Sequence, residues 1–197
     1  MKELVVATGN PGKLVEIREI LADFPLTLRS LADFPPLDFP EEGHDYEGNA
    51  VVKARLAAAH TGLPALADDS GLEVDALGGR PGVRSARYGG PGLDDAGRVA
   101  RLLEEVGGAA SDERGARFVC VAACALPTGV VETARGECAG QILQAPRGSG
   151  GFGYDPVFQP SGESVSMAEL PPARKNEISH RGRAFRALAE GLAAKTR

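Results

Sequence analysis

The chain has 197 residues and a formal net charge of −5, with 43% hydrophobic and 25% charged residues. This composition is typical of a globular protein, and no apolar run approaches the roughly 20 residues that a membrane span requires. The acidic balance argues against a protein built mainly to bind nucleic acid, which needs a basic surface, but it leaves room for one nucleotide in a locally positive cleft.

The cysteines and the N-terminal residues indicate the cellular compartment. Three cysteines, an odd number without a Cys-x-x-Cys pair, favour buried thiols in a reducing environment. The first residues, Met-Lys-Glu-Leu-Val-Val, fit a strand pattern and lack the apolar region of a signal peptide. We therefore expect a cytoplasmic protein.

The N-terminal segment has the pattern of a phosphate-binding loop. Residues 4–7 predict a short apolar strand, residues 8–13 a turn-rich loop, and Leu14, Ile17 and Leu21 a helix. A strand, a glycine-containing loop and a helix start present backbone N–H groups to phosphate. The loop is not a Walker A motif, and a capped helix start with a surface lysine is the alternative.

An acidic loop precedes the second predicted helix. Residues 26–31 predict a second strand and residues 34–40 a proline-rich connection, after which Glu41 and Glu42 begin the acidic loop. Residues 47–60 then predict a helix from which Lys53 projects. Because acidic loops are usually just solvated, a metal role for either glutamate is the weaker interpretation from this pattern alone.

Two adjacent carboxylates follow the next apolar run. Residues 65–67 predict a buried strand that ends at Asp68 and Asp69, and Ser70 and Gly71 predict a turn. At a strand end, the turn can bring both carboxylates towards one cleft, where hard oxygen anions suit Mg²⁺ better than zinc. A solvated turn is the alternative.

The second half of the chain predicts irregular and antiparallel structure. Residues 73–88 predict an irregular wall, and Asp94 or Asp95 caps a helix. Residues 118–126 and 130–138 predict a hairpin around Pro-Thr-Gly, and residues 141–144 predict a further strand.

A glycine-rich stretch and a basic stretch complete the candidate site. Residues 148–153 match Gly-x-Gly-x-x-Gly, but a dinucleotide motif must open a helix, and Pro156 stands where that helix would run. The glycines instead suit a close approach of the backbone to a flat ligand, with Phe152 or Tyr154 as a stacking face; a turn with core aromatics is the alternative. Residues 174–181 carry four basic side chains before a last helix, and because cations at a helix start oppose the helix dipole, this placement favours a bound anion or a polar ligand. A solvated basic turn is the alternative.

Six motifs in order resemble one family. They are Thr-Gly-Asn-x-Gly-Lys at 8–13, Glu-x-Gly at 41–43, Asn-Ala-x-x-Lys-Ala at 49–54, Ala-Asp-Asp-Ser-Gly at 67–71, Gly-Gly-Phe-Gly-Tyr-Asp-Pro-Val-Phe at 150–158 and Lys-Asn-x-x-Ser-His-Arg at 175–181. This series, which covers nearly the whole chain, closely resembles the inosine triphosphate pyrophosphatase or Ham1-like family, and the bacterial branch is the closer match.

The resemblance implies an α/β fold and an activity. The fold is a long mixed β-sheet with flanking helices, a single domain over residues 1–197 whose two lobes surround a central cleft. The activity is Mg²⁺-dependent hydrolysis of ITP, dITP and XTP to the monophosphate and pyrophosphate, which cleanses the nucleotide pool. A homodimer is the expected assembly.

The resemblance also assigns residues. It implies that Asp69 is the proton acceptor and binds Mg²⁺, assisted by Glu41, which fits the Glu-x-Gly spacing better than Glu42, and by Asp68. The substrate residues implied are Thr8, Gly9, Asn10, Pro11, Gly12, Lys13, Lys53, Ser70, Phe152, Gly153, Tyr154, Asp155, Lys175, His180 and Arg181. Among them, the loop of residues 8–13, Lys53 and Lys175 are implied to hold the phosphates, and Phe152 to stack on the base.

Two other functional classes are compatible with the same residues. A metal-dependent nucleotide phosphohydrolase of different base specificity shares the acidic pair and the loops. A non-catalytic nucleotide sensor shares the pocket but does not need the carboxylates. Turnover with Mg²⁺ separates the sensor from the enzymes, and a panel of nucleotides separates the two enzymes.

Overall fold

The computed structural model describes residues 2–194, which form seven β-strands and five α-helices. The strands are β1 (Lys2–Val6), β2 (Leu26–Ser30), β3 (Ala65–Val74), β4 (Pro81–Gly82), β5 (Gly115–Ala125), β6 (Val131–Ile142) and β7 (Phe158–Pro160). The helices are α1 (Pro11–Ile20), α2 (Tyr46–Thr61), α3 (Asp95–Val106), α4 (Pro172–Ile178) and α5 (His180–Ala194).

The strands belong to one mixed sheet. Its order is β2-β1-β3-β5-β6-β7, and β4 pairs with β3 outside this path. β1 is parallel to both β2 and β3, whereas the β3–β4 and β6–β7 pairs are antiparallel. The predicted α/β class with a mixed sheet and flanking helices is therefore confirmed.

The chain divides into two compact units. The first comprises Met1–Asp69, Cys120–Gly136 and His180–Arg197, and the second comprises Ser70–Val119 and Glu137–Ser179. Strands β3, β5 and β6 each have residues in both units. The prediction of a single two-lobed domain stays a prediction.

Each unit has its own apolar core. In the first, Val6 of β1, Ile17 of α1 and Phe185 of α5 are buried together with Cys120 and Cys124 of β5. Both thiols are buried, as predicted, and Cys138 is buried as well. In the second, α3 packs its apolar face on strand residues, and the set includes Leu72, Leu102, Cys138, Phe158 and Met167.

Side-chain caps explain where three helices begin. The side chain of Asn10 accepts from Lys13 N at the start of α1, with Pro11 as the first helical residue. Asp45 accepts from Gly48 N before α2, and Asp94 accepts from Gly97 N before α3. Of the two aspartates predicted to cap α3, Asp94 is the cap.

The predicted turn at Ser70 and Gly71 is wrong, because β3 continues to Val74. The reason is the close approach of β4: a Cβ on Gly71 would lie 2.1 Å from the Gly82 carbonyl oxygen. Only glycine permits this contact, so Gly71 leaves room for β4 to pair with Leu72 and Glu73 of β3. Asp68 and Asp69 consequently lie inside a strand.

Other predicted boundaries differ locally from the structure. The hairpin is confirmed, and Leu126 N donates to Val130 O across its turn. The separate strand predicted at residues 141–144 is wrong, since Gln141 and Ile142 end β6. The short β7 and α4 were not predicted as elements. Among residues 2–194, no helix is long and apolar enough to cross a membrane.

Candidate active site

The loop before α1 is ordered by its own side chains. Thr8 Oγ1 accepts from Asn10 N at 3.1 Å, and Asn10 Oδ1 accepts from Lys13 N at 3.2 Å. These two bonds fix the backbone of residues 8–13 at the start of α1. Lys13 then extends its ammonium group to Asp68, where Nζ lies 2.9 Å from Oδ2.

Asp68 lies in a buried network of charges. Its Oδ2 accepts from Lys13 and, at 3.3 Å, from Nη2 of Arg181. Arg181 Nη1 in turn donates to Glu16 Oε2 at 2.6 Å. Burial alone raises the pKa of Asp68, but the charges of Lys13 and Arg181 outweigh it, and the net effect lowers the pKa. Asp68 is therefore ionised at neutral pH.

Asp69 has a different environment. Its carboxylate accepts from Asn49 Nδ2 at 2.8 Å and from Lys53 Nζ at 3.3 Å, and Lys53 also contacts Glu42 at 2.6 Å. Burial raises the pKa of Asp69, and the opposing effects of Lys53 and the Asn49 hydrogen bond do not cancel it. Asp69 is thus the better proton acceptor of the pair.

The two carboxylates have separate sets of partners. Asp68 contacts groups of α1, α5 and β5, whereas Asp69 contacts groups of α2. The charge of Lys53 nevertheless also acts on Asp68, and that of Lys13 on Asp69. The turn expected to aim both carboxylates into one cleft is absent, because β3 continues past them, and their meeting in one cleft stays a prediction.

Glu42 is the acidic-loop residue that contacts this group of side chains. It is half-buried and binds Lys53, and its charge contributes to the raised pKa of Asp69. Glu41, preferred from the motif spacing, is exposed. The assignment of Glu41 to the metal stays a prediction.

The carboxylates fit a divalent cation of the Mg²⁺ type. In the described part of the chain, no group of three or more His, Cys, Asp or Glu side chains could by itself hold a metal ion. Mg²⁺, however, usually needs only one or two carboxylates, because waters and substrate phosphates complete its six oxygen ligands. Asp69 and Glu42, both next to Lys53, provide hard anionic oxygens of this type.

The glycine-rich loop of the second unit is held by several hydrogen bonds. Phe152 N donates to Asp155 Oδ2 at 2.9 Å, and Gly153 N donates to Asp95 Oδ2 at 2.8 Å. The hydroxyl of Tyr154 donates to Ser85 O at 2.9 Å. Tyr154 is buried, while Phe152 is only half-buried, so Phe152 is the aromatic residue available for stacking.

Lys175 belongs to this loop in the structure. Its buried Nζ forms a short ion pair with Asp155 and lies 5.1 Å from the centroid of the Phe152 ring. A cation at this distance interacts favourably with the ring face. The predicted phosphate role of Lys175 is not tested by these contacts.

Of the remaining predicted residues, two begin the last helix and one lies within β3. His180 and Arg181, both buried, begin α5, and a Cβ on Gly136 of β6 would lie 2.2 Å from His180 O. Ser70 follows Asp69 within β3 and is half-buried.

Sequence reasoning did not assign Asn49, Glu16 and Asp95. Asn49 was visible as the first residue of Asn-Ala-x-x-Lys-Ala, one turn of helix before Lys53. Glu16 stands three residues after Lys13, a spacing that places both on one face of α1. Asp95 gave no signal beyond its position at a helix start.

Fold and side chains together define a mixed α/β protein with ordered carboxylates and lysines suited to phosphate and a divalent cation. Comparison with known proteins is more specific. The chain belongs to the Ham1 family, whose family model matches residues 4–191.

Named relatives cover nearly the full chain. A dITP/XTP pyrophosphatase of Geobacter sulfurreducens is 54% identical over 195 residues, 98% of this chain and 97% of that protein. One from Thermus thermophilus is 52% identical and covers 95% of this chain and 90% of its own length. The solved structure of a HAM1 protein from Coxiella burnetii has a TM-score of 0.88 and 42% identity, covering 98% of this chain and 100% of that one.

Proposed function

We propose that this protein is a nucleoside triphosphate pyrophosphohydrolase that converts ITP, dITP and XTP to the monophosphate and pyrophosphate, and so cleanses the nucleotide pool. The names and identities of its relatives support this proposal. The single observation that carries it is Asp69, a largely buried carboxylate of raised pKa held by Asn49 and Lys53.

In the proposed reaction, a water molecule attacks phosphorus and pyrophosphate leaves. Asp69 accepts a proton from the attacking water as the new P–O bond forms. The bond between the α-phosphoryl group and the bridging oxygen breaks, and its electrons leave with pyrophosphate. A carboxylate whose pKa lies above its ordinary value holds that proton more strongly, which favours the transfer.

Mg²⁺ is the proposed cofactor, with Asp69, Asp68 and a glutamate of the acidic loop as candidate ligands; when bound, it supplies positive charge to the phosphate oxygens. Glu42 joins Glu41 as a candidate because it shares Lys53 with Asp69. Asn49 keeps one oxygen of Asp69 in a fixed direction through its amide.

The proposed phosphate contacts come from the first unit. Residues 8–13, which form the short loop and the first turn of α1, offer backbone N–H groups, and Lys13 and Lys53 offer positive charge. Both lysines are ion-paired with the carboxylates of β3, so these side chains are already ordered. Ser70, which follows Asp69, is proposed as a further substrate contact.

The proposed base contacts are centred on Phe152, whose ring stacks on the purine. Gly153, Tyr154 and Asp155 fix the loop that carries this ring, and His180 and Arg181 are proposed at the rim of the base site. The proposed architecture is one domain with two lobes, the proposed assembly a homodimer, and the proposed location the cytoplasm.

The deciding experiment measures pyrophosphate release from ITP, XTP, dITP, ATP and GTP, with and without Mg²⁺. We expect rapid release from the first three nucleotides and only with the metal. Preference for ATP or GTP would indicate a phosphohydrolase of other specificity, and binding without release would indicate a sensor.

A further inference from the structure

We infer that Asp95 is a positioning residue for base recognition: it holds the loop that presents Phe152 by accepting a hydrogen bond from Gly153. This inference rests on the proposed function of the Phe152 loop. It assigns a role to a residue of α3 that is distant in sequence from the motifs discussed above.

The loop needs an external support because its own backbone is permissive. Gly151 and Gly153, on either side of Phe152, have φ values of +70° and +62°. Glycine adopts this left-handed region as readily as the ordinary one, so the backbone on both sides of the ring has little intrinsic preference. Hydrogen bonds to the loop therefore decide where the Phe152 ring points.

Two carboxylates supply the hydrogen bonds to adjacent N–H groups. Asp155 accepts from Phe152 N, but it lies only three residues further along the same loop. Asp95 accepts from Gly153 N at 2.8 Å across 58 residues of sequence. Asp155 consequently shapes the loop internally, whereas Asp95 ties it to the first turn of α3.

Asp95 is itself held in position. Its second oxygen, Oδ1, accepts from Arg98 Nη2 at 2.6 Å, one turn further along α3. Each oxygen of the carboxylate thus has one partner, and the charge strengthens the bond to Gly153 N. Burial raises the pKa of Asp95, but the bonds from Arg98 and Gly153 outweigh it and lower the pKa, so the acceptor is ionised at neutral pH.

If Asp95 has this role, its loss should weaken binding of the nucleotide base without slowing the chemical step. Asp95→Ala should raise KM for ITP about fivefold, the effect of losing one charged, half-exposed hydrogen bond, while kcat stays within about twofold. Asp95→Asn retains one acceptor oxygen for Gly153 N but no longer pairs with Arg98, so its effect should be smaller.

Product inhibition separates base recognition from general damage. Inosine monophosphate contains the base and pyrophosphate does not. The Ki of the monophosphate should therefore rise with KM in Asp95→Ala, while the Ki of pyrophosphate stays at the wild-type value. A matched control is Asp94→Ala, which removes the cap bond to Gly97 N of the same helix and leaves the loop bond intact. It should lower Tm without changing KM.

Three results would overturn the inference: a wild-type KM in Asp95→Ala, an equal rise in both Ki values, or a similar rise of KM in Asp94→Ala. The wild-type protein is assayed first. If the wild-type protein releases no pyrophosphate from any nucleotide, the proposed function fails. If the wild-type protein is active and Asp95→Ala has the same KM and Ki values, only the role of Asp95 fails.

Discussion

Asp68 and Asp69 of β3 are held by charged and amide side chains, whereas the loop of residues 151–155 is held largely through backbone N–H groups. In the first region, ion pairs fix the positions of the side chains, because Asp68 pairs with Lys13 and Asp69 with Lys53. In the second region, the backbone conformation fixes the position of the half-buried Phe152 ring, because glycines flank this residue on both sides. Charge-neutralising substitutions should therefore damage the first region most, and substitutions of glycine should damage the second.

The largest effect is expected for Asp69→Asn. The amide cannot accept the proton of the attacking water, and general-base catalysis typically contributes about 10²–10⁴ in rate. We expect kcat for ITP to fall by about 10³-fold or more. Stopped-time pyrophosphate assays measure this loss.

Glu73→Gln is the matched control, because Glu73 is on the same strand but pairs with Arg117. It should retain turnover and a similar Tm. Pyrophosphate release by a folded Asp69→Asn variant at the wild-type rate would remove Asp69 from the chemistry.

Arg181→Met tests how strongly the charge network supports the first region. The substitution leaves Glu16 without its buried cation and removes one of the two cations next to Asp68. Breaking a buried ion pair in this way costs about 3 kcal/mol or more in the free energy of unfolding. Urea denaturation at pH 7 measures it.

Two further variants complete this test. Arg183→Met, an exposed position of the same helix, should change the free energy by less than about 0.5 kcal/mol. Adding Glu16→Met to Arg181→Met should restore part of the loss, because no uncompensated charge then remains at position 16. Full additivity of the two changes would show that the pair is not coupled.

Long-range pairs of this kind explain which parts of the fold and the site could be predicted from the sequence. The adjacent aspartates, the loop before α1 and the hairpin were predicted because their signals are local. Arg181 and Glu16, by contrast, are 165 residues apart, and Gly153 and Asp95 are 58 residues apart. Such contacts depend on how distant elements pack together, and so does the approach of β4 to Gly71; neither leaves a periodic pattern in the sequence. The same reason explains why the turn after Asp69 was predicted wrongly.

Gly151→Ala should affect the second region through its backbone. A Cβ there would lie 2.0 Å from Asp155 Oδ2, and φ is +70°. Asp155 must move, and with it Lys175 and the N–H bond of Phe152. We expect KM for ITP to rise about tenfold with a smaller change in kcat, and Tm to fall, since the left-handed conformation costs about 1–2 kcal/mol in other residues.

Gly162→Ala is its control, because φ is +87° there but no atom lies near the added methyl. This variant should show the drop in Tm and a wild-type KM. If both variants raise KM alike, the loop geometry is not what sets nucleotide affinity.

The smallest expected effect compares one lysine from each region. Lys13, the last residue of the segment 8–13, pairs with Asp68. Lys13→Ala should therefore weaken the binding of ITP about fivefold and the binding of inosine monophosphate less than twofold. Lys175 contacts Asp155 and the Phe152 ring, so Lys175→Ala should weaken the binding of both nucleotides by a similar factor. Calorimetric titrations in the Asp69→Asn background measure binding without turnover. If Lys175→Ala instead weakens ITP selectively, as the motif assignment predicts, Lys175 leaves Asp155 for the phosphates when the nucleotide binds, and the second region then also relies on charge.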